Sequence, residues 1–210
     1  MSTLRNFCFN LLIGLFILSS AILGTIIGSF PIFKADSEYL QLDIVVHLSQ
    51  KEIFRNYQQV MGYLLNPWNH SLKMNDFISS ANGLEHFREV KNLLLFNNVI
   101  WLISLLIVIG LIYKKLLASL ISINLRFLQI LATIPIILTV CSLINFDSLF
   151  ILMHKLLFRN NDWMFDPLKD PVIKILPDTF FMHCFIFLVI IFEVMIGSLM
   201  FYRYKKARKY

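Results

Sequence analysis

Two histidines carry the best case for chemistry in this chain. His86 lies in the stretch Gly83-Leu84-Glu85-His86-Phe87-Arg88-Glu89-Val90-Lys91, and His154 in Phe146-Asp147-Ser148-Leu149-Phe150-Ile151-Leu152-Met153-His154-Lys155. Each stands where a polar segment meets a long apolar one, and the charge argument below places both at the same outer face of a membrane. A pair of imidazoles there fits acid/base chemistry on a lipid, because histidine changes charge near neutral pH. The other three histidines have plainer settings: His47 in a strand-like run, His70 in a polar loop and His183 just inside an apolar stretch. A metal reading also exists, in which His86 and Glu89 at i, i+3 share an ion with His154. No Cys and no HxxH pattern completes that shell, and Glu85 and Glu89 are explained as charges favoured near a helix start. The expectation is therefore no metal and no cofactor.

A nucleophile is missing. The chain has no GxSxG, no Cys beside a His, no HExxH and no glycine-rich phosphate loop. Cys8, Cys141 and Cys184 lie in or beside different apolar runs, so neither a disulfide nor thiolate catalysis is expected. A covalent acyl-enzyme has no support.

The elements that must position the histidines follow from composition. With 58% hydrophobic residues and 20 phenylalanines in 210, the chain is too apolar for a soluble domain. Crossing about 30 Å of hydrocarbon takes about 20 apolar residues. Four segments reach that length, 7–30, 92–113, 127–146 and 179–202, and only the last holds a charge, Glu193. Orientation follows from Lys and Arg. Arg5, Lys114, Lys115, Arg126, Arg203, Lys205, Lys206, Arg208 and Lys209 fall in the presumed inner segments, which have no carboxylate outside the spans. Residues 31–91 hold six cations against seven anions, and 147–178 four against five. Both termini are then cytoplasmic and both large loops face outward. The basic tail reads as a topology signal and anionic-lipid contact, with no nucleic-acid partner. The first run lacks a small-residue cleavage site and is expected to stay as an uncleaved anchor.

The expected fold is an all-α membrane protein in a single membrane domain, residues 1–210: four transmembrane helices and a small extracytoplasmic layer of amphipathic helices. Leu42 to Leu48 is rich in β-branched residues and fits a short strand. Ser49-Gln50-Lys51-Glu52 has the form of a capping box, and Ile53, Tyr57, Val60, Met61 and Leu64 follow at helical spacing up to Asn66-Pro67. A helix starts at Asn82-Gly83 and runs unbroken into the second span, which puts His86 in its first turns, where the free amides favour a neutral imidazole. Phe146, Phe150, Met153 and Leu157 read as an amphipathic continuation of the third span. On it Asp147 stands two turns from His154, roughly 10 Å at 1.5 Å per residue, too far for a hydrogen bond. Trp68 and Trp163 read as interfacial aromatics that set depth in the membrane.

Glu193 supports a reading from another class, a non-catalytic small transporter or sensor built around an intramembrane carboxyl. Against it, no broken helix or paired repeat marks a midplane site, and a glutamate that knits helices together, through Arg126 for example, is the plainer explanation.

Taken together, the block from Gly83 to Lys91, the block from Phe146 to Phe181 and the pieces Tyr57 and Met61-Gly62-Tyr63-Leu64 resemble Lit, the lipoprotein intramolecular transacylase family of Gram-positive bacteria. The four spans in this order extend the resemblance over nearly the whole chain. The family's first motif more often reads His-Met-x-Asp-Val; here Phe87 and Glu89 take the Met and Asp places and keep the character of those side chains. The resemblance implies a multi-pass cell-membrane acyltransferase with diacylglyceryl lipoproteins as substrate. It would move the sn-2 acyl chain of an S-diacylglyceryl-cysteine from glycerol oxygen to the cysteine α-amine, leaving the lyso form. It also implies that His86 and His154 are the catalytic pair, without saying which is base and which is acid. Asp147, Asp166 and Glu89 are candidates to orient them, although a helix cap and an Asp-Pro turn explain the first two equally well.

Overall fold

The computed structural model describes residues 2–113 and 124–208, and Lys114, Lys115 and Lys209 of the charge argument lie outside them. The described residues form α1 (Ser2–Tyr39), α2 (Leu42–Val46), α3 (Gln50–Leu65), α4 (Ala81–Tyr113), α5 (Leu125–Ile144), α6 (Phe146–Leu157), a 3-10 turn (Pro171–Ile175) and α7 (Asp178–Ala207), with no strand among them. Helices α1, α4, α5 and α7 are long and apolar enough to cross a membrane. The first three turns of α4 carry Glu85, Arg88, Glu89 and Lys91, so its spanning stretch is 92–113. In a bilayer such helices satisfy their own backbone polar groups, which is why length and apolarity alone reveal them.

The chain forms two compact units, one from Met1–Ile27, Asn97–Val140 and Phe185–Tyr210, the other from Gly28–Phe96 and Cys141–Cys184. The first packs around Ile13, Ile17, Ala21, Leu128, Phe192 and Ile196. Gly24 admits Ile191 so closely that a Cβ there would lie 3.0 Å from its Cδ1, the close helix approach that small residues give in membranes. Trp101 Nε1–H donates to Ser20 Oγ at 3.1 Å, joining α4 to α1. Apolar side chains such as Leu102, Leu106, Ile137 and Val194 point outward, as a lipid solvent requires. Glu193 makes no ion pair with Arg126, which is exposed: α5 turns Leu128 into the core and Arg126 away from it.

The second unit is organised by an aromatic cluster. Tyr57 stacks on Phe33 with ring centroids 3.9 Å apart, and Phe30 and Phe180 meet them edge-on. The Tyr57 hydroxyl donates to Ser29 Oγ at 2.6 Å. The capping box forms as its spacing predicts, with Ser49 and Glu52 exchanging side-chain and backbone bonds. The weakly patterned stretch after α3 is held by side-chain amides of that helix. Asn56 is fully buried and bonds Asp76 from both ends of its amide, at 2.6 and 3.2 Å, and Gln59 does the same to Asn75 at 2.8 and 3.0 Å.

Two local expectations change. The stretch Leu42 to Leu48 is the short helix α2, bracketed by the left-handed residues Gln41 and His47. Ile44 and Val45 face outward and only Leu42 is buried, so no partner strand is there to reward β-branching. Helix α6 is a separate element and not a continuation of α5. Asn145 leaves helical geometry and caps α6 by accepting the Ser148 N–H at 2.9 Å, so the cap is Asn145 and not Asp147.

Candidate active site

His86 and His154 come together inside the second unit. His86 is 8% exposed in the second turn of α4, and His154 is 6% exposed in the last turn of α6. Their ring centroids are 5.7 Å apart. Aromatic side chains enclose them: Phe158 and Phe165 meet the His86 ring edge-on at 4.8 and 5.6 Å, and Phe150 and Trp163 lie 4.0 and 4.9 Å from the His154 ring. Trp163 is thus a wall of this site, tied back by its indole N–H to the Asn160 carbonyl at 3.0 Å, whereas Trp68 is exposed.

The enclosure sets the chemistry of both rings. Burial, helped by the neighbouring His154 charge, pushes His86 down to about 4. His154 is also lowered by burial, offset in part by its bond to the Phe150 carbonyl. Both imidazoles are neutral at physiological pH, and desolvation rather than the helix terminus is the main cause. His154 Nδ1 lies 2.8 Å from the Phe150 carbonyl oxygen. A carbonyl can only accept, so Nδ1 carries the proton and Nε2 keeps its lone pair. The Nδ1 of His86 is buried without a hydrogen-bond partner.

The remaining candidates are placed differently. Asp166 accepts the Leu168 N–H at 3.0 Å and lies 3.8 Å from Lys169, the bonding of a local turn. Among the described residues neither Asp147 nor Asp166 hydrogen-bonds a ring nitrogen of His86 or His154. Glu89, one turn after His86, accepts from Asn160 Nδ2 at 2.8 Å. No three His, Cys, Asp or Glu among the described residues are grouped to hold a metal ion, the trio His86, Glu89 and His154 included. His183, set aside in sequence, meets both carboxylate oxygens of buried Asp36 at 2.9 Å, a tie between α1 and α7.

Sequence reading missed Asp170, which fixes the start of α4. Its two oxygens take the Ser80 N–H at 2.7 Å and the Ser80 hydroxyl at 2.6 Å, and Ser80 Oγ in turn accepts the Gly83 N–H at 3.0 Å. The second large loop thereby holds, across 90 residues of sequence, the helix end from which His86 projects. In sequence Asp170-Pro171 is an Asp-Pro turn signal like Asp166-Pro167, and nothing local signals a partner so distant.

The lipoprotein intramolecular transacylase (Lit) family model matches residues 7–181. The chain belongs to the Lit family. The solved structure of the membrane-integral Lit from Bacillus cereus is similar over 100% of this chain and 99% of that one, with 30% identity and a TM-score of 0.80. Structures of that Bacillus cereus Lit with a histidine replaced by arginine or by alanine are also similar, with TM-scores of 0.71 and 0.75 at 29% and 30% identity; they cover 99% and 100% of this chain and 96% of each other chain. No curated protein matches the sequence. The chain is accordingly an integral membrane protein of a transacylase family, all-helical among its described residues like the fold its composition demands.

Proposed function

We propose that this Lit-family protein transfers the sn-2 acyl chain of a diacylglyceryl lipoprotein from glycerol oxygen to the α-amine of the same lipidated cysteine, with His86 and His154 as the acid/base pair. The observation that carries the reading is the enclosed imidazole pair, one ring of which has its tautomer set by a backbone carbonyl. In this scheme His154 Nε2 is the base and takes a proton from the nitrogen as it attacks the ester carbonyl. His86, neutral and buried, offers an N–H to the ester oxygen as charge develops, and the departing glycerol alkoxide recovers the proton. An α-amine has an ordinary pKa near 8, so an imidazole is matched to removing its proton near neutral pH. Amine and ester belong to one molecule, so holding them in contact supplies effective molarities of about 10⁵ M or more, which accounts for the lack of a protein nucleophile. The Lys and Arg distribution supports cytoplasmic termini and a site at the outer face of the cell membrane.

Mass spectrometry of a lipoprotein N-terminal peptide, from a host that makes only the diacylglyceryl form, tests the reaction. With this protein present we expect N-acyl cysteine carrying a monoacylglyceryl thioether. Unchanged diacylglyceryl peptide, with the protein shown to be in the membrane, overturns the proposal. A cysteine placed at Asn161 in a Cys-free variant should react with an impermeant maleimide from outside intact cells; labelling only after lysis reverses the orientation.

A further inference from the structure

Glu89 has one carboxylate oxygen in use and one in reserve. Oε1 accepts from Asn160 Nδ2 at 2.8 Å. Oε2 is closed off from the surface and has no hydrogen-bond partner. The cations beside it on α4 are already committed. Arg88 is held by Glu85 through two of its nitrogens. Lys91 donates to the carbonyls of Asn66 and Asn69 and lies over the Tyr63 ring at 4.5 Å. No Lys, Arg or His among the described residues forms an ion pair with Glu89. A buried carboxylate oxygen without a donor is costly, because it has given up its hydration and gained no hydrogen bond in return. That cost is recovered when a cationic donor arrives.

Its place tells which donor. Residues three apart on a helix share a face with Cβ atoms about 5–6 Å apart, so Oε2 and the unpartnered Nδ1 of His86 lie on one face of α4. Asn160, which holds the other oxygen, also accepts the indole N–H of Trp163, the ring packed on His154. One loop turn therefore positions both the carboxylate and a wall of the imidazole pair.

We propose that Glu89 is the docking point for the substrate's free N-terminal amine, its Oε2 accepting an N–H from the ammonium of the lipidated cysteine. This rests on the acyl-transfer reading above and adds the recognition element that reading lacks. The amine arrives as an ammonium held by Glu89 and releases one proton to water, the net proton set free when an ammonium is converted to an amide. Its nitrogen then forms the C–N bond, becomes cationic in the tetrahedral adduct beside the same carboxylate, and gives up a second proton to His154. The ester C–O bond breaks and that proton ends on the glycerol oxygen, so ammonium and ester become amide, alcohol and the one proton already released to water. The product nitrogen is a neutral amide with a single N–H, so the contact that draws substrate in is lost on turnover. The site thereby discriminates free-amine from N-acylated lipoproteins.

The test uses lipopeptides in which ether links replace the esters, so that they bind without reacting, one with a free amine and one N-acetylated. Binding of each to the full-length protein in detergent is measured by displacement of a fluorescent lipopeptide. We expect the wild type to prefer the free amine by about tenfold or more, Glu89→Gln to lose the preference at unchanged affinity for the N-acetyl peptide, and Glu89→Asp to keep part of it. Equal preference in wild type and a folded Glu89→Gln overturns the inference, as does a wild type with no preference. Should Glu89→Gln not fold, the wild type decides: its preference must fade as pH rises through the amine pKa near 8, and a preference that persists overturns the inference. Failure of the acyl-transfer reading is seen separately, as a wild type that leaves ester-linked substrate unchanged.

Discussion

A Cβ on Gly83 would lie 2.2 Å from Oδ1 of Asp170. The glycine is needed here for space, because the clamping carboxylate must come up against the helix backbone. We expect Gly83→Ala to destabilise the protein by about 1–3 kcal/mol, the usual cost of overpacking. Thermal unfolding in detergent measures it. Asp170→Ala should also destabilise, but the double variant should cost less than the sum, since the clash is gone once the carboxylate is removed. Strict additivity would mean the two positions do not interact.

Replacing the imidazoles separates chemistry from folding. His86→Ala and His154→Ala should each lower turnover by about 10²–10⁴-fold, the usual range for a lost acid or base. Each protein should still accumulate in the membrane. Full activity in both would remove the histidines from the mechanism.

The lowered imidazole pKa values predict a shape for the pH dependence. Both rings stay neutral below the ordinary histidine value of 6.5, so the acid limb of kcat should fall below that pH. For stability the sign runs the same way. Between about 4 and 6.5 the unfolded chain binds a proton at position 86 that the folded protein refuses, so stability drops as pH falls through that window and is regained as pH rises. Unfolding midpoints from pH 4 to 7 should show the slope in the wild type and a shallower one in His86→Asn.

The walls tune the rings. Trp163→Ala opens one side of His154, relieves part of its desolvation and should move the acid limb of kcat upward toward 6.5. An unchanged limb together with lower turnover would assign Trp163 to packing alone.

Glu193→Gln should leave acyl transfer unaltered, because Glu193 belongs to the unit that lacks the histidine pair. If that variant loses function while histidine variants do not, the protein is a transporter or sensor and not a transacylase.

The parts legible in sequence are those governed by short-range rules. Span length, the Ser49 to Glu52 box and the turn at Asn66-Pro67 each depend on residues within a few positions of one another, and each forms. His86 and His154 stood out through their motifs. Their surroundings did not: Phe158, Phe165 and Trp163 reach them from a loop whose path depends on Asp170 bonding Ser80. Asn145 was hidden for a different reason. A single polar residue between two apolar helical patterns leaves the periodicity intact, and only its cap geometry shows that α5 has ended. In α2, local β-propensity lost because no strand lies alongside to pair with it.

The Trp163 and His154 rings, 4.9 Å apart, give the protein an internal optical gauge. A protonated imidazole quenches the emission of an adjacent indole, whereas a neutral one does so far less. Of the three tryptophans only Trp163 touches the imidazole pair, so in a Trp68→Phe, Trp101→Phe background the emission would follow the proton on His154. Arrival of a lipopeptide, or the passage of a proton during turnover, could then be watched without a label.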